Sequence, residues 1–246
     1  MKSAATIMGM PAVIEIADPA AQEDVEAIFS FLRQIDGRFS TYQESSEISA
    51  INEGSIAPAD YSPDMKTILA LAEQTKQETG GYFDIQRGTM LDPSGIVKGW
   101  AIWQAALRLQ QAGMRNFSVS LGSDIQVCGH KAGWPWRIGI RNPFAPETIV
   151  KTLALTDCGV ATSGTYERGQ HIYNPHQPHT PITDIVSLTV IGPNILEADR
   201  FATAAFAMGK AGIGFIEQQP GLEGYMITGS GQAIYTAGLE TYIAAL

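Results

Sequence analysis

Apolar positions recur along the chain with two different periods, and the change from one to the other falls near its middle. Residues 12–16, AVIEI, read as a strand. Val25, Ile28, Phe29 and Leu32 then recur at spacings of three and four, which predicts a helix to about residue 36. Asp18 is its expected N-cap, Pro19 its first position and Gly37 its stop. The polar stretch RFSTYQESSEISAINEGS (38–55) is expected to be loop. A second helix is marked by Ser62 as cap and Pro63 at the first position, and runs through Ile68, Leu71, Ala72 and Thr75 to Gly80. A third carries Trp100, Trp103 and Leu107 and ends at Gly113.

From residue 117 the pattern changes. FSVSLGSDIQVCG, WPWRIGIRNP, IVKTLALTDCGVATSG, HIYNP and DIVSLTVIGP read as successive strands separated by Gly, Pro and Asn turns. A helix over 197–209, a shorter one over 213–217, and a hairpin in GYMITGSGQAIYTAG through its Gly-Ser-Gly turn complete the chain. Helices early, a mostly antiparallel sheet late and no βαβ alternation predict an α+β fold with helices packed on the sheet. No repeat or linker divides it, so a single domain over 1–246 is expected.

Composition narrows the function. A chain of 246 residues with 45% hydrophobic and 17% charged residues is globular and can bury a sizeable core. A net charge of −9 argues against a nucleic-acid partner. Cys128 and Cys158 form no CxxC pair and no disulfide framework. The opening MKSAATIMGMPAVIEI reads as neither a signal peptide nor a lipobox, and no run is apolar enough to span a bilayer, so a cytoplasmic location without a membrane span is expected.

Several stretches carry chemistry. GYFDI (81–85) and LDPSGIVKG (91–99) set glycines beside carboxylates and a lysine, a composition that suits either a phosphate cradle or a turn with a helix cap. They are no Walker A motif, since the GK[ST] ending is absent. Ser163, His171 and Asp184 offer the residue types of a serine hydrolase, but no GxSxG elbow accompanies them. His176 and His179 lie in a proline-rich loop without a third ligand of matching type. In EADRFATAAFAMG (197–209), Asp199 and Thr203 sit one helical turn apart on one face. They offer hard oxygen ligands suited to Mg²⁺; the plain alternative is a helix-start carboxylate offset by Arg200 or by the helix dipole.

Taken in order, MGM, FSTYQESSEISAIN, GYFDI, LDPSGIVKGW, LGSDI, PWRIGIRNP, VATSGTY, HIYNP, VSLTVIGP and EADRFATAAFAMG resemble the FAD:protein FMN transferases, the ApbE family. The resemblance runs from Met8 to about Gly209. Its most specific pieces are FSxY with a downstream IN, GxFD, LDxxGxxKG and ADxxxT. It implies a flavin-binding cleft, FAD as substrate, a divalent ion, and transfer of the FMN half to a Ser or Thr of an acceptor flavoprotein with release of AMP. It implies Asp199, the Thr203 hydroxyl and the Gly95 carbonyl as Mg²⁺ ligands. It implies Met8, Tyr42, Tyr82, Phe83, Asp84, Asp92, Lys98 and Tyr173 as FAD contacts, and His171 as the base. A non-catalytic FAD-binding protein and an FAD pyrophosphatase are the alternatives. This chain departs from the family at Ser123, where GGDI reads GSDI, at Asn174, where a carboxylate is common, and in the short segment IQRGTM. Asn174 bears on the transfer step more than on FAD binding.

Overall fold

Eight strands make one antiparallel sheet, and they join it in an order that folds the chain back on itself. The computed structural model describes residues 1–20, 22–165 and 172–244. In chain order the strands are β1 (Lys2–Ile7), β2 (Met10–Ile16), β3 (Gln86–Arg87), β4 (Met90–Leu91), β5 (Phe117–Leu121) and β6 (Asp124–Cys128). They continue with β7 (Trp136–Asn142), β8 (Ala145–Leu155), β9 (Cys158–Gly164), β10 (Ile185–Gly192), β11 (Glu223–Thr228) and β12 (Ala233–Tyr235). The sheet order is β1-β2-β5-β6-β9-β10-β11-β12, while β3–β4 and β7–β8 are separate hairpins. The helices are α1 (Gln22–Phe39), α2 (Glu47–Asn52), α3 (Pro63–Glu78), α4 (Ser94–Gln111), α5 (Ile195–Ala207) and α6 (Gly212–Glu217).

Strand alternation gives the sheet two apolar faces. On one, Ile14, Val119, Leu188 and Met226 pack beneath the helices with Leu32, Ile102 and Phe206. On the other, Val127, Val160, Ile191 and Ile227 are covered by Trp136, Ile140 and Leu153 of the β7–β8 hairpin and by Leu239. This is the expected α+β architecture of helices packed on an antiparallel sheet.

Several readings of the sequence need correction. Asp18 does not cap α1: its carboxylate accepts from the Arg115 and Asn116 amides and the Asn116 side chain, so it ties the end of β2 to β5. Gly37 does not stop α1, which continues to Phe39; that ring is buried edge-on to Trp100, and its burial outweighs the roughly 1 kcal/mol that a helical glycine costs. The polar stretch 38–55 holds α2, with Ser46 accepting from the Ser49 amide as its cap. The described part of HIYNP is no strand: Asn174 Oδ1 accepts the His176 amide in a side-chain turn that suits the following Pro175. Pro19 also lies before α1 rather than at its first position, and the strands β1, β3 and β4 are not anticipated in the sequence pattern. Three caps and stops are as expected. Ser62 caps α3, Gly113 ends α4 at φ +92°, and Gly209, at φ +62°, closes α5.

Candidate active site

The site is built where α4 and α5 cross. Gly95 and Gly99 lie one turn apart on α4, opposite Thr203 and Asp199, one turn apart on α5. A Cβ on Gly95 would lie 3.2 Å from the Thr203 methyl and 3.2 Å from the Phe83 ring, and one on Gly99 would lie 2.6 Å from Asp199 Cβ. The glycines therefore let the helices approach closely, and the approach brings oxygens together. Thr203 Oγ1 is 3.4 Å from the Gly95 carbonyl, and the Gly99 amide donates to Asp199 Oδ2 at 2.7 Å.

Asp199 is 4% exposed. Burial, reinforced by the Asp124 carboxylate, pushes its pKa up to about 7 against the Lys98 ammonium and the Gly99 N–H. Arg200 is not its partner: that guanidinium binds Glu197 and Glu78 and tethers α5 to α3. Lys98 Nζ lies 2.8 Å from Asp124 Oδ2, so two carboxylates share the neighbourhood of one ammonium. A divalent cation would correct that balance, and the converging donors are carboxylate, hydroxyl and carbonyl oxygens, which suit Mg²⁺. Among the described residues no group of three or more His, Cys, Asp or Glu could hold a metal.

Two hollows open from this crossing and meet at Ser94 and Lys98. The first, about 690 Å³ and open to solvent, is lined by Tyr82, Phe83, Asp84, Asp92, Gly95, Lys98, Tyr173, Asp199 and Thr203. Nine of the eleven implied cofactor and metal residues thus line it, among them Lys98, which belongs to both hollows. The second, about 580 Å³, holds Met8 and Tyr42 with Met10, Asp36 and Phe39. Tyr42 and Asp84 therefore line adjoining hollows rather than the same one.

Local chemistry fixes most of these side chains. Asp84 pairs with Lys76 at 2.7 Å, and Asp92 Oδ1 accepts the Ser94 amide at 3.1 Å at the start of α4. The short IQRGTM segment folds as the β3–β4 hairpin, from which the Gln86 carbonyl accepts the Tyr173 hydroxyl and Arg87 covers the Tyr173 ring. Burial raises the Tyr173 pKa, with Arg87 opposing and Asp84 and Asp92 adding to the rise. Phe83 is buried, whereas Tyr42 is 97% exposed. Met8 adopts φ +52° at the β1–β2 turn, an uncommon conformation for a residue with a side chain, and Asp36 Oδ2 accepts its amide.

His171 lies outside the described residues. His176 packs edge-on against Tyr82 and contacts the Gly80 carbonyl through Nε2, and Asp184 accepts the Lys210 amide. Sequence reasoning missed Asp124, Arg87 and Asp36. Asp124 had a signal, its place in LGSDI; Arg87 and Asp36 had none beyond neighbourhood in the chain.

The ApbE family model matches residues 8–90 and 86–226, so this chain belongs to the ApbE family. The FAD:protein FMN transferase of Haemophilus influenzae is 25% identical over 253 aligned positions, covering 76% of this chain and 72% of that protein. Its Escherichia coli K12 namesake is 30% identical over 156 positions, covering 59% of this chain and 44% of the relative's own length. The chain thus matches less than half of that relative. Among solved structures, flavin transferase ApbE from Vibrio cholerae superposes with a TM-score of 0.86 at 22% identity, over 98% of both chains. The ApbE protein of Thermotoga maritima gives 0.86 at 21% identity, over 100% of this chain and 99% of that one. The fold is that of these ApbE proteins.

Proposed function

We propose that this chain is a Mg²⁺-dependent FAD:protein FMN transferase whose acceptor is a Ser or Thr hydroxyl of a protein. The observation that carries this reading is the joining of the two hollows at Lys98, beside the oxygens of Gly95, Asp199 and Thr203. A dinucleotide is a long ligand with its charge at the centre, and this cleft has a cation, Lys98, where its hollows join and aromatic side chains in both of them. The names of the curated relatives support one part of it, transfer of FMN from FAD to a protein.

Asp199, Thr203 and the Gly95 carbonyl would hold the ion. When bound, Mg²⁺ would neutralise charge on the pyrophosphate. Lys98 sits where it would face the same phosphates, and Tyr82, Asp84, Tyr173 and Tyr42 would contact the flavin and adenosine parts. In the reaction the acceptor oxygen forms a bond to the FMN phosphorus, the bond between that phosphorus and the bridging oxygen breaks, and AMP leaves with the electron pair. His171 is the proposed base that takes the hydroxyl proton.

The test is incubation with FAD, Mg²⁺ and a candidate acceptor protein, followed by mass spectrometry. An FMN adduct on a Ser or Thr supports the reading. AMP and FMN released without an adduct would assign a pyrophosphatase, and unchanged FAD would assign a binding protein.

A further inference from the structure

Asp124 begins β6, still paired with Leu121 of β5, just beyond the end of the β6–β9 ladder. The β6–β9 ladder has Ile125 opposite Val160 as its last pair toward the cleft. Beyond it the Thr162 amide turns to Asp124 Oδ1 at 3.1 Å, with the Ser123 hydroxyl at 3.4 Å from the same oxygen. The carboxylate is 0% exposed and lines neither hollow, so it acts on a ligand through Asp199, which it adjoins, and through a second neighbour. That neighbour is Lys98, whose Nζ lies 2.8 Å from Asp124 Oδ2 and whose side chain lines both hollows.

We propose that Asp124 is a positioning residue: it engages the Lys98 ammonium so that Lys98 does not close on Asp199, which leaves the Asp199 carboxylate open to a divalent cation. This rests on the proposed function. Lys98 is adjacent in sequence to Gly99, whose amide already binds Asp199, and Lys98 and Asp199 line the same hollow. A lysine on a four-carbon stem, released beside a buried anion, would pair with it, because attraction between opposite charges is strong where water is scarce. An ammonium on Asp199 competes with a metal ion for the same oxygens. Asp124 suits the anchoring task because the sheet itself fixes it, through the Thr162 amide that the ended ladder leaves to it.

The test measures Mn²⁺ binding, with Mn²⁺ standing for Mg²⁺, from the spin-resonance signal of the free ion in the full-length protein. Asp124→Asn should weaken Mn²⁺ binding roughly tenfold, the scale of losing a residue that orients a metal site from outside it. Adding Lys98→Met to that variant should restore the affinity, which a general structural defect or a direct ligand role for Asp124 would not allow. Wild-type affinity in Asp124→Asn, or a double variant as weak as Asp124→Asn, overturns the proposal. If Asp124→Asn does not fold, Lys98→Met alone decides: it should bind Mn²⁺ at least as tightly as the wild type, and weaker binding overturns the claim. Wild-type protein that binds no Mn²⁺ overturns both this proposal and the metal reading, and a flavin-fluorescence titration of the same sample shows whether FAD binding stands.

Discussion

The Gly99 amide donates to Asp199 Oδ2 at 2.7 Å, and there is no room between these two residues for a methyl group. An added Cβ would lie 2.6 Å from Asp199 Cβ and 2.9 Å from the Ile195 carbonyl, which is backbone and cannot swing aside. Alanine is the better helix former by about 1 kcal/mol, so propensity alone favours Gly99→Ala. Overpacking at a helix crossing opposes this with about 1–3 kcal/mol. Gly99→Ala is expected to be less stable in chemical denaturation and to bind Mg²⁺ more weakly, since parting the helices separates Gly95 from Thr203. Higher stability with intact Mg²⁺ binding would show that the crossing is loose.

Asp199→Asn separates stability from function. The carboxylate is held in a setting that disfavours its charge, as its raised pKa shows. Asn is nearly isosteric, and its oxygen still accepts the Gly99 amide. Removing the charge should leave stability unchanged or slightly higher, while Mg²⁺-dependent FMN transfer is abolished. Denaturation curves and the adduct assay on one preparation check both halves. Undiminished transfer would refute the metal role.

Tyr42 and Phe83 should behave in opposite ways although both are aromatic and both face the cleft. Phe83 is 3% exposed and Tyr42 97% exposed. Phe83→Ala should cost about 3–5 kcal/mol, as core aromatics do. Tyr42→Ala should change stability by less than about 0.5 kcal/mol, as surface substitutions do, yet weaken FAD binding. The exposed ring gains its packing only from a ligand. Melting curves with flavin-fluorescence titrations test this, and unaltered FAD affinity in Tyr42→Ala would remove Tyr42 from the site.

What the sequence disclosed follows from how strongly each segment states its own conformation. The start of α3 was legible because Ser62 and Pro63 act within one turn, and the late hairpin because its Gly-Ser-Gly turn lies between β11 and β12. The strand β1 was missed: it is an edge strand that buries only Ile7, so KSAATI shows no apolar alternation. The short helix α2 buries only Ile48 and rests on its Ser46 cap. Asp18 was misread because a carboxylate before a helix has the same local signature whether it caps that helix or crosses to the segment before β5, 97 residues away. The placing of Asp199 and Thr203 on one face of α5 was legible from their spacing, whereas a ligand role for them came only from the resemblance. The Lys98–Asp124 pair joins α4 to β6, and no local pattern records it.

That distant tie gives Asp18 a pH dependence. The Asn116 side chain, then the Arg115 amide, hold its pKa below 3.8, outweighing the small opposing effect of burial. Because the folded state binds this proton less readily than the unfolded chain, the stabilisation is fully present above about pH 4 and is lost as pH falls through the lowered folded value. Hydrogen bonds to a charged group are worth about 1.5–3 kcal/mol, and partial exposure places this set near the low end. Asp18→Ala should therefore destabilise the protein by about 1–2 kcal/mol at pH 7, and the difference from the wild type should shrink toward pH 3. Urea denaturation of both proteins across that range measures the difference directly, so carboxylates common to both cancel. A difference that stays constant or widens in acid would mean that Asp18 acts by packing and not by its charge.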